Sequence, residues 1–309
     1  MKVLVFDPGY GDVKCAFVDT GVGDGPRFFR FPTLVARARG GLDFGEGGGE
    51  ILWGGKRWLV GEEAARAGRV VSTATDGFLE EYLPLLLGRA LLETDGVDEV
   101  VVAVSLHDWP RREVFERAAG RMMVNDRIFS HRVRLIPQGY GIWLEALSPW
   151  DGVVVDLGFR TVDVLVFVEG RPDGRRSFGM AGMGVVDFIS EVARVLSAKA
   201  RVEFSPGEVA HFLREGDPVL GRFRVEDELK SRAEEWSARL WSALAARDDF
   251  RRAMALLGRV VIAGGGARFF VKPEDVPERV NVQVVEEEPE FANVRGFALR
   301  LMEAGGEEE

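Results

Sequence analysis

The sequence is poor in cysteine, in histidine and in long apolar runs, and each shortage excludes a class of structure or site. Its 309 residues contain one cysteine, Cys15, so the chain can form no intramolecular disulfide. Cys15 lies in a strand-like run, where we expect an inert buried thiol rather than a nucleophile. The near absence of cysteine fits a reducing compartment.

Membrane and nucleic-acid contacts are also disfavoured. No apolar run approaches the roughly 20 residues that a membrane helix needs, and the first strand-like run meets Asp7 too early for a signal peptide. The formal net charge is −10, and an acidic surface repels the phosphates of DNA and of anionic lipids. We therefore expect a cytoplasmic protein with no direct nucleic-acid or membrane contact, so that any service to DNA needs an adaptor protein.

The sequence lacks the motifs that are typical of several enzyme classes. His131 and His211 have no partners at ligand spacing, so a zinc site is not expected. Ser105, His107 and Asp108 are neighbours in sequence, and neighbouring side chains do not converge as a catalytic triad does. The sequence contains no GxxxxGKS or GxxxxGKT run, which excludes phosphate binding by a P-loop.

The sequence does contain an alternation of strand-like and helix-like segments, which is typical of an α/β protein. Residues 2–7 are predicted as a buried strand ending at Asp7, with residues 13–18 as its antiparallel partner. Residues 152–156 and 162–168 repeat this hairpin, and the length favours about two domains. We therefore predict an internal duplication, with two similar sheets facing each other across a cleft.

The other predicted elements follow from apolar periodicity. Strands are expected at residues 50–53, 57–60, 100–104, 133–136, 260–263 and 281–285. Helices are expected at residues 79–93, 108–121, 139–147, 185–196, 226–245, 248–257 and 291–302. Pro84 is expected to kink the first helix or set its start, and Asp108 to cap the second. Residues 40–49 are predicted to form a mobile glycine-rich loop and residues 307–309 a frayed acidic end.

Both predicted hairpins carry the same short pattern at the turn. The first reads Asp7-Pro8-Gly9-Tyr10-Gly11-Asp12-Val13-Lys14, and the second reads Asp156-Leu157-Gly158-Phe159-Arg160-Thr161. In each, an aspartate ends a buried strand and a glycine follows two residues later, which lets the backbone approach a phosphate. The strand-end carboxylate can hold magnesium through water. An ordinary turn is the alternative for either hairpin alone, and the second copy makes it the weaker interpretation.

Two side chains and a later glycine run extend this pattern. Lys14 can neutralise phosphate charge, and the Thr161 hydroxyl can donate a hydrogen bond to phosphate. Gly264-Gly265-Gly266 follows a predicted strand and allows a close backbone approach to a nucleoside. A simple strand-to-helix turn is the alternative for this run, and it is favoured if the run is taken alone.

Taken together, these segments resemble the phosphate-1, phosphate-2 and adenosine motifs of the superfamily of actins, heat-shock chaperone ATPases and sugar kinases. Residues 136–140 (Ile-Pro-Gln-Gly-Tyr) and 291–297 (Phe-Ala-Asn-Val-Arg-Gly-Phe) resemble its two connect motifs. The Ala-Asn-Val-Arg-Gly-Phe string and the form of residues 160–163 are most similar to the plasmid-segregating ParM-type and archaeal actin-like branch. The motifs extend from residue 7 to residue 297, which is nearly the whole chain.

The resemblance implies two duplicated actin-like, ribonuclease H-like α/β domains with a nucleotide cleft between them. Domain I would comprise residues 1–148, with a small subdomain at about 27–75, and would be completed by a C-terminal helix at 291–309. Domain II would comprise residues 149–290, with a helical subdomain at about 190–245.

The resemblance also implies roles for individual residues. Asp7 and Asp156 would organise magnesium through water, and Gln138 would orient the attacking water. A neutral amide orients water without acting as a strong base, which suits slow hydrolysis. The predicted nucleotide contacts are Gly9, Tyr10, Gly11, Lys14, Gly158, Phe159, Arg160, Thr161, Gly264, Gly265 and Gly266. Phe159 replaces a glycine of the family pattern, and Pro8 removes a backbone N–H donor, which leaves the individual phosphate donors open.

The function implied is a slow ATPase that polymerises with Mg²⁺ and ATP, or GTP, into cytoskeletal or DNA-segregating filaments. Its partners would be further copies of the chain and a DNA-binding adaptor. Two alternatives stay open. One is an ATP-dependent scaffold or switch that does not polymerise. The other is a small-molecule kinase, for which Asp163 would be the carboxylate base, although no acceptor-binding motif is evident.

Overall fold

The computed structural model describes residues 1–22, 24–38, 49–67, 70–73, 77–94, 96–216, 219–272 and 276–306. The chain divides into two compact units. The first unit comprises Met1–Glu145 and Asn293–Glu309, and the second comprises Ala146–Ala292. The predicted mobile loop at 40–49, apart from Gly49, lies outside the described residues, as does the predicted acidic end at 307–309.

The described elements alternate along the chain. The strands are β1 (Lys2–Pro8), β2 (Asp12–Asp19), β3 (Arg27–Pro32), β4 (Val35–Arg37), β5 (Glu50–Trp53), β6 (Lys56–Val60), β7 (Glu99–Val104), β8 (Met122–Val124), β9 (Arg127–Phe129), β10 (Arg132–Pro137), β11 (Gly152–Leu157), β12 (Thr161–Val168), β13 (Arg171–Pro172), β14 (Phe178–Ala181), β15 (Arg259–Ala263) and β16 (Asn281–Val284). The helices are α1 (Glu62–Arg66), α2 (Phe78–Leu92), α3 (Arg112–Ala119), α4 (Tyr140–Ala146), α5 (Val186–Ala200), α6 (Pro206–Glu215), α7 (Val219–Arg222), α8 (Glu226–Ala246), α9 (Asp248–Leu257) and α10 (Ala292–Gly306).

The first unit is built on a sheet with the strand order β10-β7-β1-β2-β3. Strands β10, β7 and β1 are parallel, whereas β2 is antiparallel to both β1 and β3. Every residue of β7 is buried, as expected for a parallel strand covered on both faces. A three-stranded sheet, β4-β6-β5, and the hairpin β8–β9 complete the described strands of this unit.

The second unit repeats the same arrangement. Its sheet has the order β13-β12-β11-β15-β16, and β14 also pairs with β12. Strands β11, β15 and β16 are parallel, and β12 is antiparallel to β11. A hairpin followed by two parallel strands therefore occurs twice, as β2-β1-β7-β10 and as β12-β11-β15-β16. The predicted α/β class and the duplication of the sheet are confirmed; the nucleotide cleft stays a prediction.

Each unit has its own apolar core. In the first, Leu4 and Phe6 of β1 pack with Leu83 and Leu87 of α2, and all four are fully buried. In the second, Val153 and Val155 of β11 and the valines of β12 pack with α5 and with one stripe of α8. That stripe, Ala233, Trp236, Leu240, Trp241 and Leu244, has helical spacing, as in a helix whose opposite face is solvated. Among the described residues, none of the helices combines the length and the apolarity that a bilayer span needs.

Two local predictions need correction. Asp108 does not cap a helix through its side chain, because a 3-10 turn (Trp109–Arg111) precedes α3. Its carboxylate instead accepts hydrogen bonds from the Ser105 hydroxyl at 2.9 Å and from Arg111 at 2.8 Å. Pro84 does not set the start of α2, since that helix begins six residues earlier, at Phe78.

A hairpin and a helix are among the elements that were not predicted although the sequence carries their signals. The hairpin β8–β9 turns at Asn125-Asp126, which have φ angles of 51° and 58°. Asparagine and aspartate tolerate the left-handed region, and a two-residue hairpin turn of this kind requires it. Helix α6 begins with a capping box, in which Ser205 and Glu208 bond each other's backbone N–H groups.

Candidate functional site

Asp7, near the carboxyl end of β1, lies at the centre of a buried polar cluster in the first unit. Its side chain accepts a hydrogen bond from Gln138 Nε2 at Oδ1 over 2.5 Å. Asn293 Nδ2 donates to Oδ2 at 3.4 Å, and the Lys14 ammonium lies 3.5 Å from the same oxygen. Asp7 is 2% exposed. A carboxylate this deeply buried needs such donors, because an uncompensated buried charge is strongly destabilising.

Strand order explains why these residues meet. Because β1, β7 and β10 are parallel, their carboxyl ends lie at one edge of the sheet. Gln138 follows β10 directly, and its backbone N–H donates to the carbonyl of Val104 at the end of β7, at 2.8 Å. Lys14 is opposite Asp7 in the antiparallel register of β1 and β2. The sheet thus brings Asp7, Lys14 and Gln138 together although 131 residues separate Asp7 from Gln138.

The first turn is shaped by Gly9 and Thr33. A Cβ atom at Gly9 would lie 2.7 Å from Lys14 Nζ, so glycine at this position lets the ammonium lie against the turn. Thr33, which is fully buried, donates through Oγ1 to the Gly9 carbonyl at 2.6 Å and through its N–H to the Gly11 carbonyl at 3.0 Å. Thr33 was not predicted as a site residue, and no local pattern marks it.

Asn293, the second residue of α10, is the other residue that the sequence did not single out. Its string was recognised as a connect motif, but no role was assigned to the amide. The structure buries Asn293 to 3% exposure. Its Oδ1 accepts hydrogen bonds from the N–H groups of Gly139, at 3.2 Å, and of Gly141, at 3.1 Å. One side chain therefore joins the start of α10 to the first connect motif and to Asp7.

The second unit builds its turn differently. Asp156 is opposite Asp163 in the register of β11 and β12, and Asp163 is 1% exposed. Gly158 closes the turn by donating to the Thr161 carbonyl at 2.9 Å. Thr161 itself is buried, whereas Phe159 is half-buried at the tip of the turn.

The segment that leads into α5 holds this second turn through its backbone. The Gly158 carbonyl accepts from the Val185 N–H at 3.2 Å, and the Phe159 carbonyl accepts from the Val186 N–H at 2.9 Å. The Arg160 carbonyl accepts from the Gly182 N–H at 3.0 Å. All three turn carbonyls therefore accept hydrogen bonds from the segment between β14 and α5 or from the start of α5.

The run Gly264-Gly265-Gly266 packs directly on the end of β11. Gly264 has a φ of +85°, and a Cβ atom on it would clash with the Asp156 carboxylate. The Gly266 N–H donates to the Leu157 carbonyl at 2.7 Å. Gly265 is exposed, and a Cβ atom there would meet nothing nearer than 3.8 Å. Close packing thus requires glycine at 264 but not at 265.

The predicted residues fall into two groups, one in each unit. Asp7, Gly9, Tyr10, Gly11, Lys14 and Gln138 lie around the first turn, and Asp156, Gly158, Phe159, Arg160, Thr161, Gly264, Gly265 and Gly266 lie around the second. Tyr10, Gly11, Phe159 and Arg160 lie at the turn tips and are partly exposed. The roles of all these residues stay predictions.

Burial shifts the pKa of two further titratable side chains, Cys15 and His131. Burial raises the pKa of the Cys15 thiol well above its usual value, and the nearby Asp7 carboxylate raises it further. Burial lowers the pKa of His131, whose Nε2 lies 2.8 Å from the Ala119 carbonyl oxygen. Within the described ranges, no group of three or more histidine, cysteine or acidic residues is arranged to hold a metal ion.

The first turn fits a nucleotide phosphate better than it fits a bare metal ion. Lys14 lies on a glycine turn and is 14% exposed, so its ammonium can meet a phosphate oxygen. The same ammonium is 3.5 Å from Asp7, which disfavours direct ligation of a second cation by that carboxylate. Asp7 and Lys14 therefore suit a magnesium ion that contacts the Asp7 carboxylate through a coordinated water molecule.

Two family descriptions match this chain. "Actin like proteins N terminal domain" matches residues 6–141, and "Archaeal actin homologue MreB-like, C-terminal" matches residues 154–273. No curated protein sequence matches the chain.

Solved structures of actin-like proteins share the fold over nearly the full length. The 15-stranded ParM filament from Clostridium botulinum is 17% identical, with 99% of each chain covered and a TM-score of 0.69. Ta0583, an archaeal actin homologue, is 23% identical, with 98% of this chain and 100% of that chain covered and a TM-score of 0.66. ParM from Bacillus thuringiensis with ADP is 16% identical, with 98% and 99% covered and a TM-score of 0.64. The chain therefore belongs to the actin-like proteins, with ParM and archaeal actin homologues as its structural neighbours.

Proposed function

We propose that this protein binds ATP with magnesium, polymerises in the nucleotide-bound state, and hydrolyses ATP slowly to ADP and phosphate. The observation that carries the proposal is the buried bond between Gln138 and Asp7, with Lys14 beside it at a glycine turn. Structural relatives support the proposal: one is a ParM filament, and Bacillus thuringiensis ParM is described both with ATP and with ADP.

Nucleotide binding would use both turns. At the first, the Lys14 ammonium neutralises phosphate charge, and Gly9, Tyr10 and Gly11 form the backbone that phosphate approaches. At the second, Gly158, Phe159, Arg160 and Thr161 form the corresponding phosphate turn. The run Gly264-Gly265-Gly266, of which Gly265 is exposed and Gly264 packs on Asp156, would let a nucleoside approach the backbone closely. Magnesium bound with the nucleotide would neutralise phosphate charge, with Asp7 and Asp156 holding its waters.

Hydrolysis would depend on the orientation of Gln138. Its Nε2 donates to Asp7, so the amide plane is fixed and the opposite atom, Oε1, is the acceptor available to order a water molecule. An amide aligns water without removing its proton, so the reaction is slow and its rate depends on geometry. Slow hydrolysis suits a filament in which a subunit keeps ATP for some time after it joins and holds ADP later.

Filament growth requires a head-to-tail contact that does not close on itself. We propose that such filaments serve a cytoskeletal or DNA-segregating role in the cytoplasm. With a net charge of −10, the chain would reach DNA through a basic adaptor protein rather than by direct contact.

The test is sedimentation and light scattering of the purified protein with Mg-ATP, with Mg-ADP, and with ATP plus a chelator, alongside phosphate release. We expect a pellet with Mg-ATP that is reduced with Mg-ADP, together with phosphate release in the absence of any sugar or acid acceptor. ATP binding without a pellet at any salt concentration would overturn the filament proposal in favour of a switch. Phosphate transfer that requires an added acceptor would instead indicate a kinase.

A further inference from the structure

Asn293 bonds Asp7 and the backbone N–H of Gly139, the residue that follows Gln138. Its Nδ2 donates to Asp7 Oδ2 at 3.4 Å, while Gln138 donates to the other oxygen, Oδ1. Its Oδ1 accepts from the Gly139 N–H at 3.2 Å, and that N–H belongs to the peptide bond formed by the Gln138 carbonyl. The amide of Asn293 thus connects the side chain of Asp7 with the peptide group that follows Gln138.

Burial makes these hydrogen bonds hard to replace. Asn293 is 3% exposed and Gln138 is 9% exposed, so water does not readily replace a lost partner. The Oδ1 atom accepts a second hydrogen bond, from the Gly141 N–H at 3.1 Å. A primary amide supplies both an acceptor for two N–H groups and a donor for a carboxylate, and neither a hydrocarbon nor a carboxylate side chain does both.

The backbone that carries Asn293 is itself fixed. Cβ atoms at Gly141 of α4 and Gly296 of α10 would clash with the backbone of the other helix, so these helices touch at glycine. Next to this contact, the rings of Tyr140 and Phe297 stack at 5.5 Å. The first turn of α10 therefore cannot shift relative to α4 without disturbing packed atoms.

We propose that Asn293 is a positioning residue that sets the distance and angle between Asp7 and Gln138. Through it, the start of the C-terminal helix determines whether the pair is aligned for hydrolysis. The inference rests on the proposed function, because it assigns the residue that tunes the same site. It implies that changes at Asn293 lower kcat for phosphate release and leave ATP affinity close to the wild-type value.

The decisive variant is Asn293→Asp, which has almost the same shape. It keeps an acceptor for Gly139 and Gly141 but replaces the donor to Asp7 with a second carboxylate. We expect kcat to fall by about tenfold or more at neutral pH. When the pH is lowered, the introduced carboxyl gains a proton that it can donate to Asp7, since one of two adjacent carboxyl groups titrates at raised pH. The ratio of variant to wild-type kcat should therefore rise as the pH falls.

The matched control is Asn281→Asp, the same chemical change at an exposed asparagine at the start of β16. It should retain wild-type kcat and the wild-type pH profile. Asn293→Ser, which keeps a smaller donor and acceptor, provides a second variant if two adjacent carboxylates prevent folding, and its kcat should also be reduced. Circular dichroism and the Kd for a fluorescent ATP analogue with Mg²⁺ check folding and binding in every variant.

The outcomes separate this inference from the proposed function. A wild-type protein that releases no phosphate overturns the proposed function and the inference with it. If the wild type hydrolyses ATP and both Asn293 variants match it in kcat, the inference alone is wrong. A reduced kcat with no recovery at lower pH in Asn293→Asp, combined with weakened nucleotide binding, would assign Asn293 a purely structural role and would also overturn the inference.

Discussion

The turns after β1 and β11 occupy equivalent places in the two sheets, yet the residue opposite each aspartate in its hairpin differs in charge. Asp7 is opposite Lys14 in its hairpin, and donor groups enclose it. Asp156 is opposite Asp163, so two carboxylates share the same place in the register. Asp7 is almost fully buried, whereas Asp156 is partly exposed.

This difference suggests a division of labour between duplicated parts. A carboxylate held by an ammonium and two amides has a fixed position, which suits the alignment of a neighbouring Gln138. At the second turn, the residue opposite the aspartate is a second acid, Asp163, in place of a lysine. We therefore propose that the first turn sets the catalytic geometry, and that Asp156 at the second turn acts on magnesium through water.

The largest effect is expected for a substitution that disrupts the second turn by a steric clash. In Gly264→Ala, the new methyl group would clash with the Asp156 carboxylate at a residue whose φ is +85°. Left-handed strain and overpacking together should reduce the free energy of unfolding of the second unit by about 3 kcal/mol. Urea unfolding measures the loss, and Mg-ATP binding should be lost with it.

Gly265→Ala is the control for that experiment, because its Cβ atom would have open space. Its urea midpoint of unfolding should be nearly that of the wild-type protein. Equal destabilisation by the two substitutions would show that the close contact between Gly264 and Asp156 is not what makes glycine necessary there.

The next largest effect is expected for a substitution that removes the Asp156 carboxylate from the second turn. Asp156→Ala should leave the fold intact and remove nucleotide-dependent behaviour. At a nucleotide concentration one hundred times the Kd, a bound wild-type protein gains about 2.7 kcal/mol of stability, and the variant should gain almost none. Thermal unfolding with and without Mg-ATP measures this gain. A wild-type thermal shift in Asp156→Ala would remove this residue from the site.

The two turns also show where sequence reasoning succeeds. Both hairpins were predicted because their signals are local: a continuous apolar strand, an aspartate and a glycine two residues later. The parallel strands β7 and β15 were predicted for the same reason, since buried strands read as unbroken apolar runs. These elements sufficed to predict the fold class and the duplication.

The contacts that complete the site are not local. Asn293 and Asp7 are 286 residues apart, and no spacing rule indicates that an amide will bridge them. Thr33 reaches the first turn from the residue after β3, a strand that was not predicted. Gly264 was predicted to approach a nucleoside, but its approach to Asp156 depends on the pairing of β11 with β15.

A smaller effect is expected for a substitution that tests the role of Gln138 beside the first turn. Gln138→Ala removes the amide that donates to Asp7 and leaves Lys14 and the glycine turn in place. Mg-ATP should still bind, while phosphate release should slow by about tenfold, which corresponds to about 1.4 kcal/mol in the barrier. A coupled phosphate assay together with a nucleotide-binding titration separates the two quantities. Unchanged phosphate release would remove Gln138 from the hydrolytic role.

The smallest expected effect concerns pH and lies in the first unit, at His131. Burial lowers the pKa of this imidazole below its usual value of about 6.5 in the folded state. Between the folded pKa and about 6.5, the unfolded chain binds more protons, so stability falls as the pH drops through this window and is unaffected by His131 above it. His131→Gln can still donate to the Ala119 carbonyl but does not titrate. Urea unfolding of the two proteins from about pH 7.5 down to about pH 5.5 should therefore show a shallower loss of stability in the variant. Parallel pH dependences in the two proteins would show that His131 is protonated as readily in the folded chain as in the unfolded one.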